Sequence, residues 1–191
     1  MTTFKEIRGT AVQSVSSDPS NPESGQLWYN NSIGVLKGYV LGAASWAAGG
    51  NLGTARYLSA SAGTQTAGLG AGGYISGTAA TAVTEEYDGS SWTAGGNMGT
   101  ARYRLAGAGL QTAGLAFGGF TGTANSNSTE EYNGSSWSAT TNMTTARRGL
   151  AGKGTQTAGL AFGGLITTTV ANTEEYSGAA LAVKTITTST S

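Results

Sequence analysis

The chain has no cysteine and no histidine among its 191 residues. Together these absences remove disulfides, thiol nucleophiles, imidazole bases and the commonest zinc and copper ligands. Stability must then come from packing and hydrogen bonds, and neither a cofactor nor a metal is expected. Charge is also sparse: ten basic and ten acidic residues, 10% of the chain, cancel to zero. Binding along a phosphate backbone or an anionic membrane needs a basic stripe, so nucleic acid is not an expected partner. No stretch approaches the ~18 apolar residues of a transmembrane helix. The opening residues, Met1 to Arg8, carry charges where a secretory signal needs an apolar run. The expectation is a product made in the cytoplasm and not inserted into a membrane.

Proline occurs only twice, but glycine occurs 32 times, with Thr, Ser and Ala filling much of the rest. Flexible linkers share that composition, but they lack aromatic and aliphatic residues at fixed intervals, which this chain has. Trp46, Trp92 and Trp137 recur at intervals of 46 and 45 residues, and Arg56, Arg102 and Arg147 keep the same spacing. The pairs Gly72-Gly73, Gly118-Gly119 and Gly163-Gly164 follow it too. Thr-Glu-Glu-Tyr recurs, ending at Tyr87, Tyr132 and Tyr176. These positions predict an N-terminal segment, residues 1–45, followed by three repeats over about 46–91, 92–136 and 137–191.

Within a repeat, the runs Leu105 to Gly109, Thr112 to Gly119 and Ser128 to Tyr132 are of strand length, bounded by glycine and too short for helices. Each repeat therefore reads as a β-meander. Asp88-Gly89 and Asn133-Gly134 suit a two-residue type I′ turn, with Ser177-Gly178 a weaker third copy. The glycine pairs suit a close backbone approach near a crowded axis.

The order Arg, Gly-Gly, Tyr, Trp, then Met or Leu, running from Trp46 to Tyr176, resembles the kelch motif. The resemblance implies an all-β fold: a kelch-type β-propeller, or a propeller-like array of four-stranded meanders. A repeat of this size matches one propeller blade. Closed propellers have four to eight blades, so three repeats leave a shortfall. Gln26 to Asn30 with Val35 to Trp46 is a candidate partial blade. Leu181 to Ser191 is a candidate last strand, and Phe4 to Val15 a candidate edge strand. Completion by oligomerisation is the other route.

The tempting chemical motifs have plainer readings. Gly68 to Gly73 fits G-x-G-x-x-G, but Ala116 and Ala161 replace the central glycine in the other copies and no βαβ pattern surrounds it. Glu85-Glu86, Glu130-Glu131 and Glu174-Glu175 are adjacent on strands, so each pair points to opposite faces and cannot flank one bond. Their expected role is to pair with Arg56, Arg102 and Arg147. Trp46, Trp92 and Trp137 are expected in the core between blades, with Tyr87, Tyr132 and Tyr176 as further structural repeat positions. No catalytic residue is assigned and no enzymatic activity is expected. The copies diverge most after the glycine pairs, over Tyr74 to Val83, Phe120 to Ser128 and Leu165 to Asn172. Repeat proteins often carry binding surfaces in such loops, which makes Tyr74, Phe120, Asn125 and Asn127 the candidate contacts to a partner or receptor.

The segment Ser17 to Gly38 contains Gly25-Gln-Leu-Trp-Tyr-Asn30. It resembles a segment of phage tail-fibre and virion structural proteins in which such a hairpin precedes repetitive β modules. Joined to Thr-Glu-Glu-Tyr-Asn-Gly-Ser-Ser-Trp units, it is similar to kelch-like structural proteins of marine tailed phages, those of cyanobacterial hosts in particular. The resemblance implies a virion protein of tail, fibre or baseplate. Its implied partners are other virion proteins, further copies of itself, and a host-surface glycan or protein. The alternative is a bacterial kelch-type interaction module or adhesin.

Overall fold

The computed structural model describes residues 12–21, 25–39, 42–77 and 79–179. Phe4 to Ala11 and Leu181 to Ser191 lie outside the described residues, and with them the proposed last strand and most of the proposed edge strand. The architecture is all-β, and the chain divides into two compact units, Met1–Ala47 and Ala48–Ser191.

The first unit is a three-stranded sheet of β1 (Gln13–Val15), β2 (Leu27–Asn30) and β3 (Val35–Gly38). Strand β1 pairs parallel to β2, and β2 pairs antiparallel to β3. Asp18 holds this sheet together. Its carboxylate accepts from Trp28 Nε1 at 3.1 Å and Asn30 Nδ2 at 2.9 Å, and pairs with Lys37 Nζ at 2.6 Å. The Lys37 hydrogen bond, followed by those from Asn30 and Trp28, lowers the Asp18 pKa to about 2. The Trp-Tyr-Asn motif thus places Trp28 and Asn30 on one face of β2, buried over Asp18, while Leu27 and Tyr29 face outward. The parallel β1–β2 pair gives this sheet a different topology from a repeat meander. Trp46, expected in the core, is fully exposed and belongs to no strand.

The second unit contains three successive meanders. The first comprises β4 (Ala60–Thr64), β5 (Ala67–Ala71), β8 (Thr84–Tyr87) and β9 (Trp92–Ala94), with a two-stranded ribbon of β6 (Tyr74–Ile75) and β7 (Ala79–Ala80) inserted after the glycine pair. The second comprises β10 (Ala106–Leu110), β11 (Ala113–Phe117), β12 (Thr129–Tyr132) and β13 (Trp137–Ala139). The third comprises β14 (Ala151–Gly154), β15 (Ala158–Phe162) and β16 (Thr173–Ser177). All pairings within the meanders are antiparallel. Trp92 and Trp137 therefore open the last strand of their sheets, following Tyr87 and Tyr132 after a short loop.

The turns differ from the two-residue form expected. Only Gly89 and Gly134 have positive φ, at 97° and 91°. Asp88 and Asn133 instead begin four-residue loops. Asp88 Oδ1 accepts from the backbone of Ser90 at 2.8 Å and Ser91 at 2.7 Å, and Asn133 Oδ1 does the same for Ser135 and Ser136. These side chains cap the loop, which removes the need for a second positive φ.

Hydrophobic clusters lie between meanders. Ala60, Ala71, Met98, Leu105 and Ala116 fill the first joint, with Trp137 packed against them. Ala106, Leu115, Phe117, Met143 and Leu150 fill the second. The first strands β4, β10 and β14 run side by side, and their small residues let them approach. A Cβ on Gly107 would stand 2.6 Å from the Ser61 carbonyl oxygen, and one on Gly152 would stand 2.9 Å from that of Gly107. These two glycines are therefore crowded positions between neighbouring first strands. The Gly-Gly pairs combine a close backbone approach with positive φ: Gly72 and Gly73 have φ of +64° and +113°, and a Cβ on Gly72 would stand 2.6 Å from the Arg102 carbonyl oxygen of the next meander.

Gly107→Ala is expected to destabilise the protein by about 1–3 kcal/mol through overpacking of β10 on β4. Ser61→Ala, at the matching exposed position, should stay within about 0.5 kcal/mol. Denaturant unfolding midpoints of the two variants check this.

Candidate interaction site

Each Arg–Glu pair lies within one meander. Arg56 Nη1 meets Glu85 Oε1 at 2.5 Å, Arg102 Nη2 meets Glu130 Oε1 at 2.8 Å, and Arg147 Nη1 meets Glu174 Oε1 at 2.9 Å. All three guanidinium side chains are fully buried. The carboxylate also binds the loop ahead of its arginine: Gly53 N and Gly99 N donate to Glu85 and Glu130 at 2.6 Å, and Thr144 N donates to Glu174 at 2.6 Å. Arg102 also donates to the carbonyls of Gly118 and Ser128 at 2.7 and 2.6 Å. Burial works to raise the Glu85 carboxyl, but the Gly53 amide and the Arg56 guanidinium outweigh it and hold its pKa below the ordinary value. Burial lowers the Arg102 pKa, against the pull of Glu130.

In the first two motifs the second glutamate points the other way, into the joint. Tyr132 donates its hydroxyl to Glu86 of the preceding meander, and Tyr176 donates to Glu131 at 2.5 Å. Burial, reinforced by the Glu86 carboxylate, pushes the Tyr132 phenol up to about 12. Burial and Glu131 raise Tyr176 in the same direction. Trp137 stacks on Tyr132, with ring centroids 4.9 Å apart, and donates Nε1 to Thr84 Oγ1 of the preceding meander at 2.9 Å. Trp92 stacks on Tyr87 at 5.1 Å.

Glutamines that sequence reasoning missed complete each joint. Gln111 Nε2 donates to the carbonyls of Gly68 and Tyr87 at 3.1 and 2.8 Å, and Gln156 Nε2 to those of Gly114 and Tyr132 at 3.2 and 2.7 Å. The signal was present, since Gln65, Gln111 and Gln156 each precede a Thr-Ala-Gly and keep the period of the repeat.

The loops after the glycine pairs build the candidate contact face. Tyr74 and Phe120 bridge to Tyr57 and Tyr103, as Leu165 does to Arg148. The rings form an edge-to-face series: Tyr57–Tyr74 at 5.5 Å, Tyr74–Tyr103 at 5.0 Å and Tyr103–Phe120 at 5.6 Å. The Arg148 guanidinium closes the series, 4.6 Å over the Phe120 ring. Tyr57 is exposed, and Tyr74, Tyr103 and Phe120 are half-buried. Beside this row lies a cavity of about 380 Å³ lined by Leu58, Ser59, Arg104, Leu105, Gly149 and Leu150. Leu58 and Arg104 are the only non-glycine residues with positive φ among those described, at 59° and 54°, and they align with Gly149 at 62°. Arg104 N donates to the Leu58 carbonyl at 2.8 Å, and Gly149 N to that of Arg104 at 2.7 Å.

Two of the four expected contacts have structural work instead. Asn125 donates to the carbonyls of Leu165 and Ile166 at 3.3 and 3.0 Å and accepts from Arg148 at 2.7 Å. Asn127 donates to the Met143 carbonyl at 3.0 Å. Both asparagines are half-buried, and replacing either would loosen the loops. Tyr74 and Phe120 share the aromatic row and keep part of their surface open. The row can stack on a planar or sugar-like group, and Arg104 and Arg148 offer hydrogen-bond donors beside it. Among the described residues no three His, Cys, Asp or Glu side chains cluster as a metal site would require. No helix among them is long and apolar enough to cross a membrane.

No protein-family model matches this chain, and no curated protein matches it.

Arg102→Met should cost about 3–5 kcal/mol, because Glu130 would remain buried without its cation; urea unfolding measures it. Tyr132 has a folded pKa above its free value of 10.0. Its contribution is therefore complete below pH 10 and lost as pH rises towards about 12. Thermal midpoints should fall across that window, and Tyr132→Phe should flatten the fall.

Proposed function

We propose that the three meanders are consecutive blades of a kelch-type propeller array, and that the chain is a structural component of a tailed-phage virion, part of its tail, fibre or baseplate. The observation that carries this reading is how the repeated side chains are used. The arginines, the first glutamate of each motif, and the glutamines and tyrosines of the interior joints all hold one strand or meander to another. That suits a load-bearing or display scaffold, since chemistry needs a residue that the scaffold does not.

The N-terminal hairpin supports the same reading. It is a compact unit of its own, ordered around Asp18, ahead of a repetitive β array, which is the modular order of the phage proteins it resembles. The aromatic row with Arg148 and Arg104 is the surface for host contact, where a sugar ring can stack and its hydroxyl or carboxylate groups can meet a guanidinium.

Purified particles of the phage encoding the chain should contain it by mass spectrometry, with antibody labelling on the tail in electron micrographs. Absence from particles, with the protein recovered instead from a bacterial surface, would overturn the reading in favour of an adhesin.

A further inference from the structure

The glutamine, tyrosine and tryptophan bonds of the interior joints are directional: the later meander donates and the earlier one accepts. A glutamine donates to two carbonyls, a tyrosine hydroxyl to a glutamate and, at the first joint, a tryptophan Nε1 to a threonine. An open array of three must therefore end in two unlike halves, and it does. At the first meander, Gln65 occupies the place of Gln111 and Gln156 but is exposed, where those two are half-buried. Tyr87 and Trp92 stand where Tyr132 and Trp137 do, with no earlier meander described to receive them. At the third meander, Glu175 stands where Glu86 and Glu131 accept a phenol, yet it is exposed. Thr173 stands where Thr84 accepts an indole and is exposed as well. Phe162 is 41% exposed, whereas its counterpart Phe117, covered by the next meander, is 3% exposed.

We propose that these two halves join between copies of this chain, the first meander of one docking on the third meander of another. Gln65 then donates to the Gly159 and Tyr176 carbonyls, Tyr87 to Glu175, and Trp92 to Thr173. The number of copies follows from the blade reading, on which this step rests. Closed propellers have four to eight blades, and among multiples of three only six falls in that range. Two copies therefore close the ring through two identical joints, related by a two-fold axis along its centre.

Two positions distinguish this joint from the interior ones. Ser61 stands where the later meanders have Gly107 and Gly152, and Lys153 stands where the earlier ones have Ala62 and Ala108. A Cβ at Gly107 or Gly152 would come within 3.0 Å of the neighbouring carbonyl. Hence β4 of one copy and β14 of the other sit further apart than β4 and β10 do, and the outer hydrogen bonds carry the contact. A joint held that way is weaker than an interior one and depends on concentration.

Light scattering after size exclusion on the full chain tests this. At 100 µM the expected mass is twice 19.0 kDa, falling towards one chain on dilution. The Gln65→Ala/Glu175→Ala double variant should raise the dissociation constant at least about tenfold without changing the thermal midpoint measured on dilute protein, since both side chains are exposed. Gln111→Ala should do the reverse, lowering the midpoint and leaving the mass unchanged. A single-chain mass at 100 µM, an assembly larger than two, or a dimer indifferent to the double variant would each overturn the proposal. A Gln111→Ala variant that melts like the parent would overturn the packed array beneath it.

Discussion

The buried pair between the repeated arginine and the first glutamate is the constraint on which each meander depends. A carboxylate taken out of water needs compensation for every lone pair it loses. Here it receives a guanidinium and, at Glu85 and Glu174, two backbone amides from the loop ahead of the arginine. That loop is the crossing between one meander and the next, so the pair fixes where the chain re-enters. Fixing the first glutamate on one face of its strand sends the second to the opposite face, where it accepts a phenol from the following meander. Two adjacent residues of the same type thus perform the two tasks of the fold, closing one sheet and joining it to the next.

Packing follows from that arrangement. Once the meanders are held in series, β4, β10 and β14 lie side by side, and glycine and alanine are the residues that allow the observed approach. This accounts for a core that contains few large side chains. Leu115, Phe117, Tyr132 and Trp137 supply the bulk, and they sit in or against the joints between sheets.

Much of this was legible in the sequence because the repeat supplies its own comparison. The meanders, the pairing of Arg with Glu and the strand assignment of the G-x-G-x-x-G run all follow from period and alternation. What was not legible depended on geometry that period alone does not encode. Asp88 and Asn133 read as type I′ residues because Asp-Gly and Asn-Gly are the usual pairs, yet their carboxylate and amide oxygens cap a longer loop. Trp46 reads as the first of three equivalent tryptophans, yet it is fully exposed and follows a sheet of another topology, whereas Trp92 and Trp137 stack on Tyr87 and Tyr132. Asn125 and Asn127 differ among the copies and so suggested a variable surface. Their amides satisfy carbonyls within the array, a reminder that repeats can diverge for local structural reasons as well as for binding.

The central claim is that the repeated polar side chains couple neighbouring meanders energetically. A double-mutant cycle on Tyr132→Phe and Glu86→Ala, read by urea unfolding, measures that coupling directly, because the two residues belong to different sheets and meet through one hydrogen bond. The account predicts an interaction energy of about 1 kcal/mol or more. Strict additivity of the two substitutions would contradict it.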